Sequence, residues 1–241
     1  MAYFTNFPQV IYRFGNNEQP VSFQILNTYV DILDNISSDI NVYEKYTILP
    51  GDRADTLSFQ LYGDSQFYWT FFLVNEKLRE SGWPLDQDQL YSTAKVSYPH
   101  RMITTKTDIS DTNFKIGQTV TGSQSGSTGK IVEVNLDLGQ VVVDSPNNFN
   151  SGESVSVGTG GDTQTLVVLS DIEQYNGVHH YEDSNKEWVD IDPHTQVTTG
   201  YTPVTYIQRF SEFNDNLREI NVLTPNVLRQ VSQQFQELVR G

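Results

Sequence analysis

Apolar positions are densest between Tyr46 and Trp83, and their spacing there predicts a strand followed by two helices. Tyr46, Thr47, Ile48 and Leu49 suit a short strand. Pro50-Gly51-Asp52 follows as a turn, in which Pro fixes one φ, Gly tolerates a positive one and Asp can accept from free amides. Asp52 is expected to cap the first helix, whose inner face carries Ala54, Leu57, Leu61 and Tyr62 and whose end is set by Gly63. Asp64 or Ser65 would cap the second. That helix holds Phe67, Tyr68, Trp69, Phe71, Phe72, Leu73 and Val74, apolar on nearly every side, so other parts of the molecule or a partner must cover it. Leu57, Leu61, Gly63, Tyr68, Trp69 and Phe72 are the expected structural core of this stretch.

The segments on either side read differently. Phe4, Phe7 and Tyr12 place aromatic weight on a terminal segment too short to bury it, which suggests an arm that packs on its own domain or on a neighbour's sheet edge or groove. From Val21 to Ile40, Phe23, Leu26, Val30, Leu33 and Ile36 or Ile40 step at helical intervals, and Asp86 to Tyr98 gives a weaker helix stopped by Pro99. After His100 the period shortens to β-branched runs separated by Gly, Ser, Asn and Asp, as in a small barrel or sandwich. Within it Phe114-Lys115-Ile116-Gly117 with Val120 is echoed by Phe149-Asn150-Ser151-Gly152 with Val155. Beyond Leu169, Val178 to Tyr181 and Trp188 to Ile191 flank a polar turn as a hairpin. Thr224-Pro225 opens a last helix with the stripe Val227, Leu228, Val231, Phe235 and Leu238. The expected division is 1–104, an arm, helix and strand-helix-helix core; 105–170, an inserted β-rich domain; and 171–241, a hairpin and C-terminal helical segment.

Composition narrows the function. Fifteen Lys and Arg against thirty Asp and Glu give a formal charge of −15, which disfavours naked nucleic acid and anionic lipid and favours a protein partner. With no cysteine there is neither a disulfide framework, a thiolate metal site nor a cysteine nucleophile. The longest mostly apolar run is far short of the roughly 20 residues that span a bilayer, and the first residues have no signal-peptide pattern, so the expected site of synthesis is a cytoplasm. No nucleophile-elbow, zincin, P-loop or dinucleotide fingerprint occurs, and no cofactor or small-molecule substrate is implied. His179 and His180, with Asp183, Asp190, Asp192 and His194, could be drawn as a metal site, but adjacent strand residues point to opposite faces and cannot chelate one ion without a bulge. The expectation is therefore no metal and no enzymatic activity.

The strand with Pro50-Gly51-Asp52, the helix ending Leu61-Tyr62-Gly63-Asp64, the Tyr68-Trp69 pair, Asn75 and the later Trp83-Pro84 together resemble the LysM-like core of the small baseplate wedge subunit of contractile-tailed phages of the T-even type. The run Asn216-Leu217-Arg218-Glu219-Ile220 before a terminal amphipathic helix is similar to the tail of the same subunits. The resemblance implies an α+β fold with a LysM-like strand-helix-helix core, N- and C-terminal helices and an inserted barrel-like domain. It implies a structural protein of the virion, assembled in the host cytoplasm in several copies, that joins neighbouring wedge proteins through its core and terminal segments. The surfaces it singles out are Phe4, Phe7 and Tyr12 of the arm, the turn Pro50, Gly51 and Asp52, and Trp83 with Pro84. The competing function is a module that binds N-acetylglucosamine polymers in the groove between that turn and the loop after the second helix; a hydrolase accessory domain is a third. A single unit without an export signal favours assembly.

Overall fold

The computed structural model describes residues 9–12, 20–24, 42–105, 107, 109, 114–189, 191 and 199–240. In chain order these hold β1 (Gln9–Tyr12), β2 (Val21–Gln24), β3 (Tyr43–Thr47), α1 (Ala54–Tyr62), a 3-10 turn (Ser65–Phe67), α2 (Trp69–Val74), α3 (Glu76–Ser81), α4 (Gln87–Ser97) and β4 (Arg101–Thr105). There follow β5 (Thr119–Gly122), β6 (Thr128–Asn135), β7 (Gln140–Asp144), β8 (Ser154–Val157), β9 (Gln164–Glu173), β10 (Val178–Glu182), β11 (Trp188–Val189), β12 (Thr202–Thr205), α5 (Tyr206–Asn216), β13 (Glu219–Leu223) and α6 (Pro225–Arg240). The fold is mixed α+β. It divides into two compact units, one of Met1–Asp86 with Asn214–Gly241 and one of Gln87–Phe213. The second unit is therefore wider than the expected 105–170, because the strands that close its barrel begin at Arg101 and run to Glu173, and α4 and the β10–β12 sheet belong to it.

In the first unit β3 pairs antiparallel with β13, from Tyr43 opposite Leu223 to Thr47 opposite Glu219. A strand, three short α-helices with a 3-10 turn, and a partner strand from later in the chain thus belong to one unit. The strand lies three residues earlier than expected, since Ile48 N–H is the last group bonded across to Arg218 and Leu49 already belongs to the turn. Asp52 does not cap α1: its carboxylate accepts the Leu49 amide at 3.0 Å within the turn, and the N-cap is Arg53, whose amide donates to the Thr56 hydroxyl at 3.2 Å. Gly63 does end α1, at φ 76°, with its N–H returned to Phe59 O. The expected second helix is two. Asp64 accepts from Gln66 N–H to start the 3-10 turn, and α2 stops where Asn75 adopts an extended conformation before α3.

Two apolar clusters hold this unit. Ile48, Leu57, Phe71 and Leu78 meet Leu217, Ile220 and Val222, with Leu61, Tyr68, Phe72 and Trp83 packed against them. Trp69 joins Val42, Leu223, Leu228 and Val231, so the stripe on α6 covers the far side of α2. Phe71 is fully buried, which is worth about 1.5–3 kcal/mol of apolar transfer. Of the predicted core residues, Trp69 and Leu57 are buried and Leu61, Tyr68 and Phe72 half-buried in these clusters, while Gly63 is exposed and serves as the helix end. Nearer the N-terminus β1 and β2 pair as a hairpin, Gln9 opposite Gln24. The start of the expected Val21–Ile40 helix is thus a strand, and its remainder lies outside the described residues.

The second unit is built on a closed six-stranded barrel in the order β4-β7-β6-β5-β8-β9. The echo in the sequence is structural. Phe114 and Phe149 are both buried in the barrel core with Val120 and Val155. Gly117 and Gly152 both take positive φ, 92° and 86°, which a side chain would strain. Each donates its N–H across the barrel wall, to Ile131 O and Val168 O, and the next residues, Gln118 and Glu153, accept the Ile131 and Val168 amides in return. Gln118 and Glu153 also bend back to accept the amides of Lys115 and Asn150. Thr121 and Ser156, equivalent positions of the two motifs, face each other across the β5–β8 pair. Two copies of one short motif thus meet along the β5–β8 seam of the barrel. Strand β7 is buried on both faces: Val141 and Val143 point inward, while Val142 packs outside with Met102 and Tyr206. A three-stranded sheet, β11-β10-β12, completes the unit.

Candidate functional site

The turn and the later Trp-Pro pair are brought together. Trp83 donates its indole N–H to Asp52 O at 2.7 Å, and its ring packs on Phe71 and Phe72 at centroid distances of 5.9 and 6.0 Å. Pro50 and Gly51 are exposed, Asp52 and Trp83 half-buried, and Pro84 buried. Trp83 is thus anchored within the fold, and Pro84 beside it is buried. The indole N–H is spent on the backbone and the ring on two core aromatics. Leu85, next in the chain, exchanges two hydrogen bonds with Asn214, N–H to Oδ1 at 2.7 Å and Nδ2–H to its carbonyl at 3.1 Å, and accepts a third from Arg218 at 2.9 Å. The exit toward the barrel unit and the return from it are therefore adjacent.

On the other side of this unit a cleft of ≈ 460 Å³ runs beside the β3–β13 pair, lined by Lys45, Thr47, Asn75, Lys77, Glu219 and Asn221 among others. Its polar groups serve the fold: Asn75 bonds both backbone groups of Asn221, and Lys77 Nζ donates to Asn216 O. A second, shallower depression lies on the outer face of α1 beside Asp55, Thr56 and the exposed Phe59. Of the arm residues, Tyr12 stands 57% exposed on β1 beside Ile11 at 71%, with Val10 and Val21 also exposed. Phe4 and Phe7 lie outside the described residues.

The histidines are arranged in a way the sequence pattern excluded. A register shift between Val178 and His180 in the β10–β12 pair is the bulge that alternation would have required, and it places the two imidazoles side by side, Nδ1 to Nδ1 at 2.9 Å. Arg209 Nη1 lies 2.7 Å from His179 Nε2, and His180 Nε2 lies 3.2 Å from Glu182 Oε1. Trp188 stacks on His180 at 4.1 Å, and Tyr206 meets His179 edge-on at 4.8 Å. Burial first, then the Arg209 charge and then His180, pull the His179 pKa down to about 4. Tyr206 is pushed up to about 12, chiefly by burial. Among the described residues no three His, Cys, Asp or Glu side chains are grouped to hold a metal ion. His194, Asp190 and Asp192 lie outside those residues. Nothing in the periodicity signalled the bulge; the Gly177 before it, whose Cβ position is filled by the Met102 sulfur, was the local sign that β10 enters tightly.

No protein-family model matches the chain, and no curated protein matches it. The class defined by geometry is a mixed α+β protein in which a unit carrying a closed six-stranded barrel is inserted, in sequence, between the two stretches of a smaller unit of helices and a two-stranded sheet. No helix among the described residues is long and apolar enough to cross a membrane.

Proposed function

We propose that the protein is a structural subunit of a phage tail baseplate wedge, in which a LysM-like core and the terminal segments join neighbouring wedge proteins. The observation that carries the reading is the pairing of β3 with β13. It joins the two stretches that resemble the wedge subunit, Tyr46 to Trp83 and Asn216 to Ile220, into one unit in which the paired strands are linked to three short helices. Two surfaces suit assembly. The β1–β2 hairpin exposes Val10, Ile11, Tyr12 and Val21, and β3 has a partner strand on only one edge among the described residues. The net charge of −15 fits a basic or mixed protein partner, and the subunit acts by binding rather than by catalysis.

The glycan-binding alternative would need an aromatic platform in the groove beside Asp52, and the nearest aromatic, Trp83, is committed to Asp52 O and to Phe71 and Phe72. Calorimetric titration with chitin oligomers separates the two readings. The structural reading predicts no saturable heat. Saturable binding weakened by substitution at Pro50 or Asp52 would replace it with the glycan-binding one.

A further inference from the structure

We propose that His179 and His180 form a proton-gated latch, which holds Arg209 of α5 against the β10–β12 sheet only while both imidazoles are neutral. The hydrogen-bond directions follow from one fact: a guanidinium can only donate. Arg209 Nη1–H therefore donates to His179 Nε2, which must carry its lone pair there and its proton on Nδ1. That Nδ1–H donates to His180 Nδ1, so His180 carries its proton on Nε2 and donates it to Glu182 Oε1. One chain of three bonds runs from a cation to an anion through two neutral rings of opposite tautomer. Each ring nitrogen has one role, and none is spare.

Adding a proton breaks the chain wherever it lands. On His179 it occupies Nε2 and faces the Arg209 N–H, donor against donor. On His180 it occupies Nδ1, the ring nitrogen that carries no proton in the neutral chain; His179 Nδ1 must then accept, its own proton moves to Nε2, and the same clash with Arg209 results. Either way the Arg209 bond is lost, leaving that guanidinium the Trp188 ring, 5.5 Å away. The groups that bias this equilibrium among the described residues are Arg209 and Tyr206 from α5 and Glu182 from β10, with Glu133 of β6 and Tyr98 after α4 acting on Tyr206. The lowered pKa of His179 agrees with the geometry. Its stabilising effect is complete above the ordinary histidine value of 6.5 and lost as the pH falls toward about 4.

The test is a nitrogen-15 histidine spectrum of the full chain, titrated from pH 8 to 4. The proposal expects His179 in the Nδ1–H form and His180 in the Nε2–H form at neutral pH, and loss of the Arg209 side-chain signal's bonded shift as the first proton is taken up. Arg209→Ala, at an exposed position, should release the tautomer lock and raise the His179 titration by about one pH unit, by removing a neighbouring cation. His179 found as the Nε2–H tautomer, a pair that titrates like two independent ordinary imidazoles, or an Arg209 signal unmoved through the titration would each overturn it.

Discussion

Asn75 occupies the place of a strand beside Asn221. Its Nδ2–H donates to Asn221 O and its Oδ1 accepts from Asn221 N–H, both at 2.8 Å, so one side chain reproduces the two-way exchange of an antiparallel neighbour. The same Nδ2 also donates to Phe71 O at the end of α2. Asn75 is buried, and it sits at the break between α2 and α3. The break is therefore where the helical segments are tied to a strand that follows the barrel unit in sequence.

Asn75→Ala should lower stability by about 1–3 kcal/mol, since the N–H and carbonyl of Asn221 lose their partner together and the buried amide of Asn75 is removed. Urea denaturation measures it. An unchanged midpoint would mean that pairing with β3 and the apolar face suffice to hold β13.

Glu153 makes the second prediction. Its buried carboxylate accepts from the amides of Gln124, Ser125 and Asn150 and from the Ser125 hydroxyl, at 2.6 to 2.9 Å. Burial would push the carboxyl up, but these bonds outweigh it and hold it below the usual 4.5. The stabilisation is then present above that value and lost as the pH falls through the lower folded one. Glu153→Gln turns an amide donor toward groups that donate and should cost about 2–4 kcal/mol at pH 7. Thermal melts across pH 3 to 7 should show the gap between the two proteins closing in acid; a constant gap would contradict the charged role.

The third concerns the insertion. Because Leu85 and Asn214 are bonded to each other, residues 87–213 should be replaceable by a short Gly/Ser linker with the first unit still folded. Circular dichroism should retain the helical signal and a cooperative melt. Cutting instead at 105 and 170 leaves β4 paired with the end of β9 alone, stripped of β7 and of the barrel core that covers Ile103, and that protein should aggregate.

What the sequence made legible follows the range of the forces involved. Gly63, the Phe-x-x-Gly echo and the hairpin around Asp183 are local signals, fixed by one φ or a few neighbouring bonds, and the structure contains all three. The Asp52 cap was misread because the same carboxylate had a nearer amide, that of Leu49. Two features had no local signal at all. The partner of β3, Glu219–Leu223, comes far later in the sequence, after the barrel unit, and the bulge that joins His179 to His180 is set by pairing with β12 rather than by residue type. The same reasoning explains Trp83: an exposed-looking Trp-Pro exit becomes a strut only once Phe71, Phe72 and Asp52 surround it.

The central claim is that this chain is an assembly subunit, and co-expression of the tagged full chain with the other wedge proteins of a contractile tail tests it most directly. Size-exclusion chromatography with light scattering should find it in a complex of fixed stoichiometry, and Ile11→Asp with Tyr12→Asp on the exposed face of β1 should weaken that complex without lowering the melting temperature of the free protein. Elution of the folded wild-type chain on its own, with the wedge proteins assembled without it, would contradict the account.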